Sequence, residues 1–197
     1  MKFVLILFSV IFFNLLAFAG ELNITASKMD IDKEKEIINA EGSVVATDDL
    51  GNKIEADRAK YSKKEGIFKG EGSVVVTDNN ENVITTDRIK YLEQPKIIYT
   101  YENSKVNLNN GYEISSNSLV YDTINKIVKS NEYSNLIDLD GNFVEVNMFE
   151  YSFIKKIFSS KGDIKIVDDF ENEYFFEEIY VNTKNRKIVG SKVKVSL

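Results

Sequence analysis

The chain has 197 residues, with 31 acidic side chains against 25 basic ones and a net charge of −6. Histidine, cysteine and tryptophan are absent, and proline occurs once, at Pro95. These facts exclude disulfides, imidazole or thiolate catalysis and His/Cys metal sets. An acidic chain also lacks the clustered Lys and Arg that nucleic-acid binding requires.

From the start, Met1-Lys2 gives a short basic opening and Phe3 to Phe18 an apolar run broken only by Ser9 and Asn14. Ala17-Phe18-Ala19 fits the small-x-small cleavage rule, followed by Gly20 and Glu21. Residues 1–19 therefore read as a cleavable signal peptide rather than a signal anchor. The mature chain begins near Gly20, works outside the cytoplasm and carries −7 once Lys2 is removed. No later apolar run approaches the length that spans a bilayer. Residues 20–197 are enough for one domain with a real core, held by backbone ladders and packing.

The mature chain repeats itself every thirty residues. Ile24, Ile54, Ile84, Ile114 and Val144 form one column; Ile31, Tyr61, Tyr91, Tyr121, Tyr151 and Val181 form another. Ile37, Ile67, Ile97, Ile127 and Ile157 form a third, and Ala40, Gly70, Thr100, Ser130, Ser160 and Gly190 a fourth. A fixed period in this range signals stacked repeats. Each unit reads as two strands and two turns. In the clearest unit the first strand is Ile54 to Tyr61 and the second Ile67 to Thr77. Within the first, Ile54 and Ala56 share one face whereas Ala59 and Tyr61 share the other. An odd step between apolar positions requires a bulge or bend if both pairs are to be buried. Asp57, Asp87, Asn117 and Asn147 sit at that step and tolerate irregular backbone. Each first strand is expected to turn a corner there.

In the second strand, Phe68, Gly70, Gly72, Val74 and Val76 are read as one face, repeated by Ile38 to Ala46 and Phe158 to Ile166. Its small mid-strand residues fit either tight wall-to-wall packing or space left for a ligand. Asp- and Asn-rich turns close the units at 48–52, 78–82, 138–142 and 168–172. They lack the spacing of calcium-binding coils and read as corner chemistry. The third and fourth units depart from the pattern. Leu92-Glu93-Gln94-Pro95 replaces the basic turn, and Pro95 belongs at an edge or corner. Glu102 and Glu132 stand where other units have Gly42, Gly72 and Gly162.

With imidazole and thiol missing, carboxylates such as Glu55, Asp57, Asp87, Glu145 and Asp163 are the remaining catalytic groups. Their repeat spacing fits solvated strand faces and corners better than a paired acid and base. The chain reads as non-enzymatic, with no cofactor and no metal.

Ile54-Glu55-Ala56-Asp57-Arg58-Ala59-Lys60-Tyr61, a polar turn, then Ile67-Phe68-Lys69-Gly70-Glu71-Gly72-Ser73-Val74 resembles the OstA-like (organic solvent tolerance-like) domain. A second copy begins Ile84-Thr85-Thr86-Asp87-Arg88-Ile89-Lys90-Tyr91. The resemblance covers essentially everything after Gly20, most clearly Ile24 to Tyr91 and Val144 to Val195. That family includes the periplasmic lipopolysaccharide transport bridge and the N-terminal domain of the outer-membrane lipopolysaccharide-assembly protein. The resemblance implies an all-β fold, an open twisted β-jellyroll of about six stacked V-shaped rungs. It further implies a periplasmic module associated with the outer membrane, holding the lipid A acyl chains of lipopolysaccharide between its sheets. Implied partners are other jellyroll domains of the bridge, joined through edge strands, and the outer-membrane lipopolysaccharide translocon.

The residues suit such a conduit. The inner rows expected to line a lipid-binding groove are Ile54, Ala56, Phe68, Val74, Val76, Ile84, Ile98, Val106, Phe158, Ile164 and Ile166. Burying acyl chains against them is worth about 0.8 kcal/mol per methylene. Ordinary core packing is the other reading of each residue. The chain stops inside an alternating strand pattern, Lys192 to Leu197, so an assembly-protein-like N-terminal domain is expected, with the stand-alone bridge second. A secreted structural β-solenoid, such as an adhesin or filament subunit, is the alternative; it requires a dry, filled interior and capped ends.

Overall fold

The computed structural model describes residues 22–196; the signal segment 1–19 lies outside the described residues. Those residues form eighteen strands and no helix, every strand pairing being antiparallel. The N-terminal strands are β1 (Asn23–Thr25), β2 (Lys28–Asp32), β3 (Ile37–Thr47), β4 (Lys53–Ser62), β5 (Ile67–Thr77) and β6 (Val83–Leu92). In the middle the strands are short: β7 (Ile97–Tyr101), β8 (Ser104–Asn107), β9 (Glu113–Ser116) and β10 (Val120–Asp122). They continue as β11 (Ile127–Ser130), β12 (Ser134–Ile137), β13 (Phe143–Val146) and β14 (Phe149–Ser152). Long strands return with β15 (Ile157–Val167) and β16 (Glu173–Asn182), before β17 (Lys187–Ser191) and β18 (Lys194–Ser196). The result is a twisted β-jellyroll in which each thirty-residue unit contributes two bent rungs.

The bend falls where the alternation breaks. Register shifts lie between Glu55 and Arg58 on β4, and between Glu71 and Val74 on β5. The same shift recurs between Glu41 and Val44 on β3 and between Lys161 and Ile164 on β15. Ala56 to Ala59 is a three-residue step facing a four-residue step, Gly70 to Val74. The second strand therefore carries the extra residue and folds outward over the first. Gly72 and Ser73 absorb it with left-handed φ of 76° and 46°. Gly72 thus belongs to the bend and not to the inner face on which simple alternation places it.

Bending every rung at one level makes two arms that face each other, joined along a spine. Side chains from both arms point inward and fuse into one continuous core. Its largest fully buried members include Phe68, Tyr91, Tyr121, Tyr151 and Phe158. Full burial of each such side chain is worth roughly 1.5–3 kcal/mol, so the core is what holds the arms at their angle. The small-residue column lies just inside the spine. A Cβ on Gly70 would sit 3.2 Å from Ile89 and 3.3 Å from Phe68, so the column marks wall-to-wall packing.

In the middle units the rungs break at the spine and leave carbonyls without ladder partners. Buried hydroxyls fill that role. Thr86 Oγ1 donates to Tyr101 O at 3.0 Å, and Ser104 Oγ lies 2.6 Å from Thr100 Oγ1. Ser134 Oγ donates to Glu132 O at 2.7 Å and Ser160 Oγ to Met148 O at 2.8 Å. Glu102 and Asn103, with φ of 66° and 47°, make the turn without glycine. Arg88 and Asp87 on the neighbouring rung hold their side chains in place.

Gly72→Ala and Gly162→Ala separate the two costs of the bend. Both positions are left-handed, but an added methyl at Gly162 meets nothing within 4 Å, whereas at Gly72 it collides with Asp57. Gly162→Ala should lower unfolding free energy by about 1 kcal/mol of backbone strain, and Gly72→Ala by on the order of 3 kcal/mol. Urea midpoints at constant slope check this.

Candidate functional site

All eleven residues expected to line a groove lie in the core. Their exposures run from 0% at Phe68, Val74, Ile98, Val106 and Phe158 to 6% at Ala56. The interior is filled by their own side chains and by the tyrosine column between them. A hollow of about 470 Å³ opens at the N-terminal end of the stack, where Leu22, Ile24, Ile38 and Tyr61 meet the exposed Met29 and Ile31.

The side opposite the spine is built differently from the rest of the wall. There the two arms end in two rows of turns, which we call lips. One lip comprises the turns near 33–36, 63–66, 93–96, 123–126, 153–156 and 183–186. Each of its turns ends on a left-handed residue, namely Glu36, Gly66, Lys96, Lys126, Lys156 and Arg186. The carbonyl of that residue accepts a hydrogen bond from the next turn, as from Phe153 N to Lys126 O at 2.9 Å and Thr183 N to Lys156 O at 2.9 Å. The turns are thereby stacked at two strand spacings, roughly 10 Å apart.

The other lip comprises the turns at 48–52, 78–82, 108–112, 138–142 and 168–172. Four of them are closed by an aspartate. Asp48 Oδ1 accepts from Leu50 N at 3.0 Å and Asn52 N at 2.8 Å, and Asp78, Asp138 and Asp168 repeat the arrangement. These acids are engaged in turn chemistry of the Asx type.

Between the lips, the polar bonds recorded among the described residues run through side chains. Tyr91 Oη donates to Asp48 Oδ2 at 3.2 Å, Tyr121 Oη to Asp78 Oδ2 at 3.4 Å, and Lys126 Nζ to Asn52 Oδ1 at 3.1 Å. Asn110 Nδ2 donates to Thr183 O at 3.1 Å, and the ion pairs Lys96–Asp49 and Arg186–Asp140 also cross the gap. Each such contact is worth on the order of 1 kcal/mol net. The seam is the weakest longitudinal line in the wall. Burial pushes the hydroxyls of Tyr91 and Tyr121 well above their ordinary range, and the neighbouring Asp48 and Asp78 add to the shift. Burial also raises Tyr151, whose hydroxyl lies 3.1 Å from Thr183 Oγ1.

Among the described residues no further strand covers either end of the stack. β1 and β2 pair with β3 alone, and β17 and β18 with β16 alone. Ile188, Val189, Val193 and Val195 stand exposed at the C-terminal end. The candidate carboxylates are dispersed along the spine and outer faces. Glu55 pairs with Lys53, Asp57 packs over Gly72, and Asp87 accepts from Asn103. The exception is Glu145 and Asp163, which share a shallow crevice of about 280 Å³; Glu145 accepts the hydroxyl of Tyr133 there.

Sequence reasoning found the inner rows and both ends, and missed the seam. Its signal was present as Lys96, Lys126, Lys156 and Arg186 at thirty-residue spacing and the aspartate opening four of the five opposite turns. It went unread because pairs 43 to 74 residues apart have no local periodicity.

No protein-family model matches the chain, and no curated protein matches it. Among solved structures, one resembling it is LptH of Pseudomonas aeruginosa, described as the LptA-homologous periplasmic component of a lipopolysaccharide transport device. The two share 8% identity over 90% of this chain and 94% of that one, at a TM-score of 0.26. Another is the TCP10 domain of Danio rerio CPAP in complex with a STIL peptide, at 10% identity over 86% and 97%, with a TM-score of 0.18. Overlays this loose leave the chain's own geometry to carry the functional reading.

The raised tyrosines set an alkaline limit on stability. A phenol whose value in the folded chain exceeds the ordinary 10.0 contributes stability that is complete below pH 10. That contribution is lost as pH rises past 10 towards the raised value. Urea unfolding between about pH 8 and pH 11.5 should show stability falling with pH, and Tyr91→Phe/Tyr121→Phe should flatten the fall. An identical slope in the variant would refute the assignment.

Proposed function

We propose that this chain is a non-enzymatic periplasmic module of lipopolysaccharide transport and assembly. In this reading it takes lipid A acyl chains between its two arms and passes them towards the outer membrane. The observation that carries it is the asymmetry of the wall. Three sides are joined by backbone ladders and bends, whereas the fourth is a seam of side-chain contacts over an apolar interior. Parting the lips breaks no strand pairing and bares the inner rows lengthwise. The six seam contacts described above amount to about 6 kcal/mol. Opening also gives up apolar contact between the arms; ten buried methylenes return about 8 kcal/mol, so an acyl chain offsets the opening by replacing that contact with its own. Ile54, Ala56, Phe68, Val74, Val76, Ile84, Ile98, Val106, Phe158, Ile164 and Ile166 are the residues proposed to meet it.

The sequence resemblance to the OstA-like domain supports this assignment, for the stand-alone bridge and for the N-terminal domain of the assembly protein alike. The unpaired edges of β2 and β17 are suited to strand addition by neighbouring jellyroll domains, and through them to the outer-membrane translocon. A structural β-solenoid is favoured by one observation, the filled interior. Among the described residues the terminal rungs expose Met29, Ile31, Val193 and Val195, unlike the polar caps of a solenoid that works alone.

A photo-crosslinking residue at Phe68, Val76 or Ile98 should capture lipopolysaccharide, whereas one at Lys184 should not. Joining Asp49→Cys to Lys96→Cys with a short bis-maleimide should abolish capture from the interior. Capture that persists with the lips joined, or that arises from Lys184 alone, would overturn the reading.

A further inference from the structure

The outer face of one arm is notched where the middle rungs break. Four adjacent strands, β8, β9, β12 and β13, carry Lys105, Ser115, Asn135 and Glu145 side by side in register. The residues flanking each of them within these strands are the more buried ones or end the strand, so this row faces outward. Ser115 and Asn135 are its short members, standing between the long side chains of Lys105 and Glu145. At the same level the chain leaves the ladder, in the segments 102–103, 117–119 and 131–133 between strands. Short side chains beside broken rungs leave a crevice of about 520 Å³. That lies within the size of ligand pockets, about 300–1,000 Å³.

The two charged side chains lining the crevice are engaged within the chain. Lys105 pairs with Glu113 at 2.9 Å, and Glu132 accepts the hydroxyl of Ser118 at 2.9 Å. The rest of the lining is amides, hydroxyls and one aromatic ring, that of Tyr133. Tyr133 is 55% exposed, and Glu145 accepts its hydroxyl, which fixes the ring as a wall. The same ring borders the smaller crevice over Glu145 and Asp163. A single exposed tyrosine is ordinary. Here it stands beside an amide with an unmet need, because Asn135 Oδ1 is buried without a hydrogen-bond partner. A buried acceptor left unpaired is costly. The last torsion of asparagine is soft, so rotation of the amide can offer a ligand either its acceptor or its donors.

A ligand matching this lining has a flat face of C–H groups for the ring, hydroxyls around its edge for the amides, and no net charge. A pyranose has all three. A phosphate meets only a lysine that is already paired, and a hydrocarbon chain meets no aliphatic side chain. We propose that the crevice binds a neutral saccharide, with one sugar ring stacked on Tyr133 and its hydroxyls bonded to Asn135 and Ser115. The site lies across β8, β9 and β12 from the core, so it does not depend on what the interior holds.

The test titrates the purified protein with neutral oligosaccharides built on glucose, mannose, galactose or N-acetylglucosamine, and with a capped neutral peptide. Binding is read from backbone amide NMR shifts. At least one saccharide should give saturable shifts at Ser115, Tyr133 and Asn135. Its affinity should be the same at about 50 and about 500 mM salt, since no charges pair. Tyr133→Ala should weaken binding at least tenfold and Asn135→Ala at least threefold, whereas Tyr133→Phe should stay within threefold of the unaltered protein. Spectra unchanged away from the crevice show that each variant is folded. Joining the lips through Asp49→Cys and Lys96→Cys should leave saccharide binding intact. Binding of none of the saccharides, binding indifferent to Tyr133→Ala, or equal binding of the peptide would overturn the proposal. So would loss of binding with the lips joined, which would place the sugar inside. None of these outcomes bears on lipopolysaccharide capture from Phe68, Val76 or Ile98, so the transport reading stands or falls separately.

Discussion

The structure depends on a reversal of side-chain parity at one level of every rung. A flat strand sends alternate residues to opposite faces, so a sheet of flat strands has one interior at most. Here the step from Ala56 to Ala59, matched by Gly70 to Val74 on the next strand, resets the alternation. The two halves of each strand then bury residues against each other. Two arms, a shared core and a closed spine all follow from that step. So does the open side, because strands that fold back on themselves can be continuous along one edge only. The opposite edge must be closed by turns and side chains.

What fills the space between the arms shapes the functional reading. A permanent trough lined by isoleucine and valine would expose a long apolar surface to water and invite aggregation. The chain instead packs its own side chains inward and closes one side with side-chain contacts, which in the proposed reading is the line through which the core is reached. Stability and access are thereby separated. The core and the spine set the first; the tyrosine hydroxyls, asparagines and ion pairs of the lips set the second. A solenoid with the same filled interior but ladders on every side would have no comparable line of access.

Much of the fold was legible in the residues. The thirty-residue period, the strand limits at Ile67 and Thr77 and the corner at Asp57 follow from alternation and turn chemistry. Gly72 was misread because period-two counting cannot register an inserted residue; the left-handed φ takes it out of the inner row. The hydroxyls of Thr86, Ser104 and Ser134 were also invisible, since their partners are carbonyls orphaned by breaks in the strands. The inner rows could be named but not sorted into lining and packing, because an isoleucine that touches a ligand and one that touches its neighbour have the same pattern. The seam lay beyond reach for a geometric reason. Its partners meet only when two arms of a twisted stack close on one another.

One consequence of the rung order concerns how the chain reaches this state. Every strand pairs with its near neighbours in sequence, from β1 with β3 to β16 with β18. Contacts of this kind close short loops and carry little entropic cost, so hairpins can form in succession as the polypeptide emerges, with no strand waiting for a distant partner. The crossings between Asp48 and Tyr91, or Asn52 and Lys126, come last, after 43 and 74 further residues have been laid down. Assembly therefore proceeds like a ratchet, one rung fixing the next, and zips its side wall only behind the advancing end.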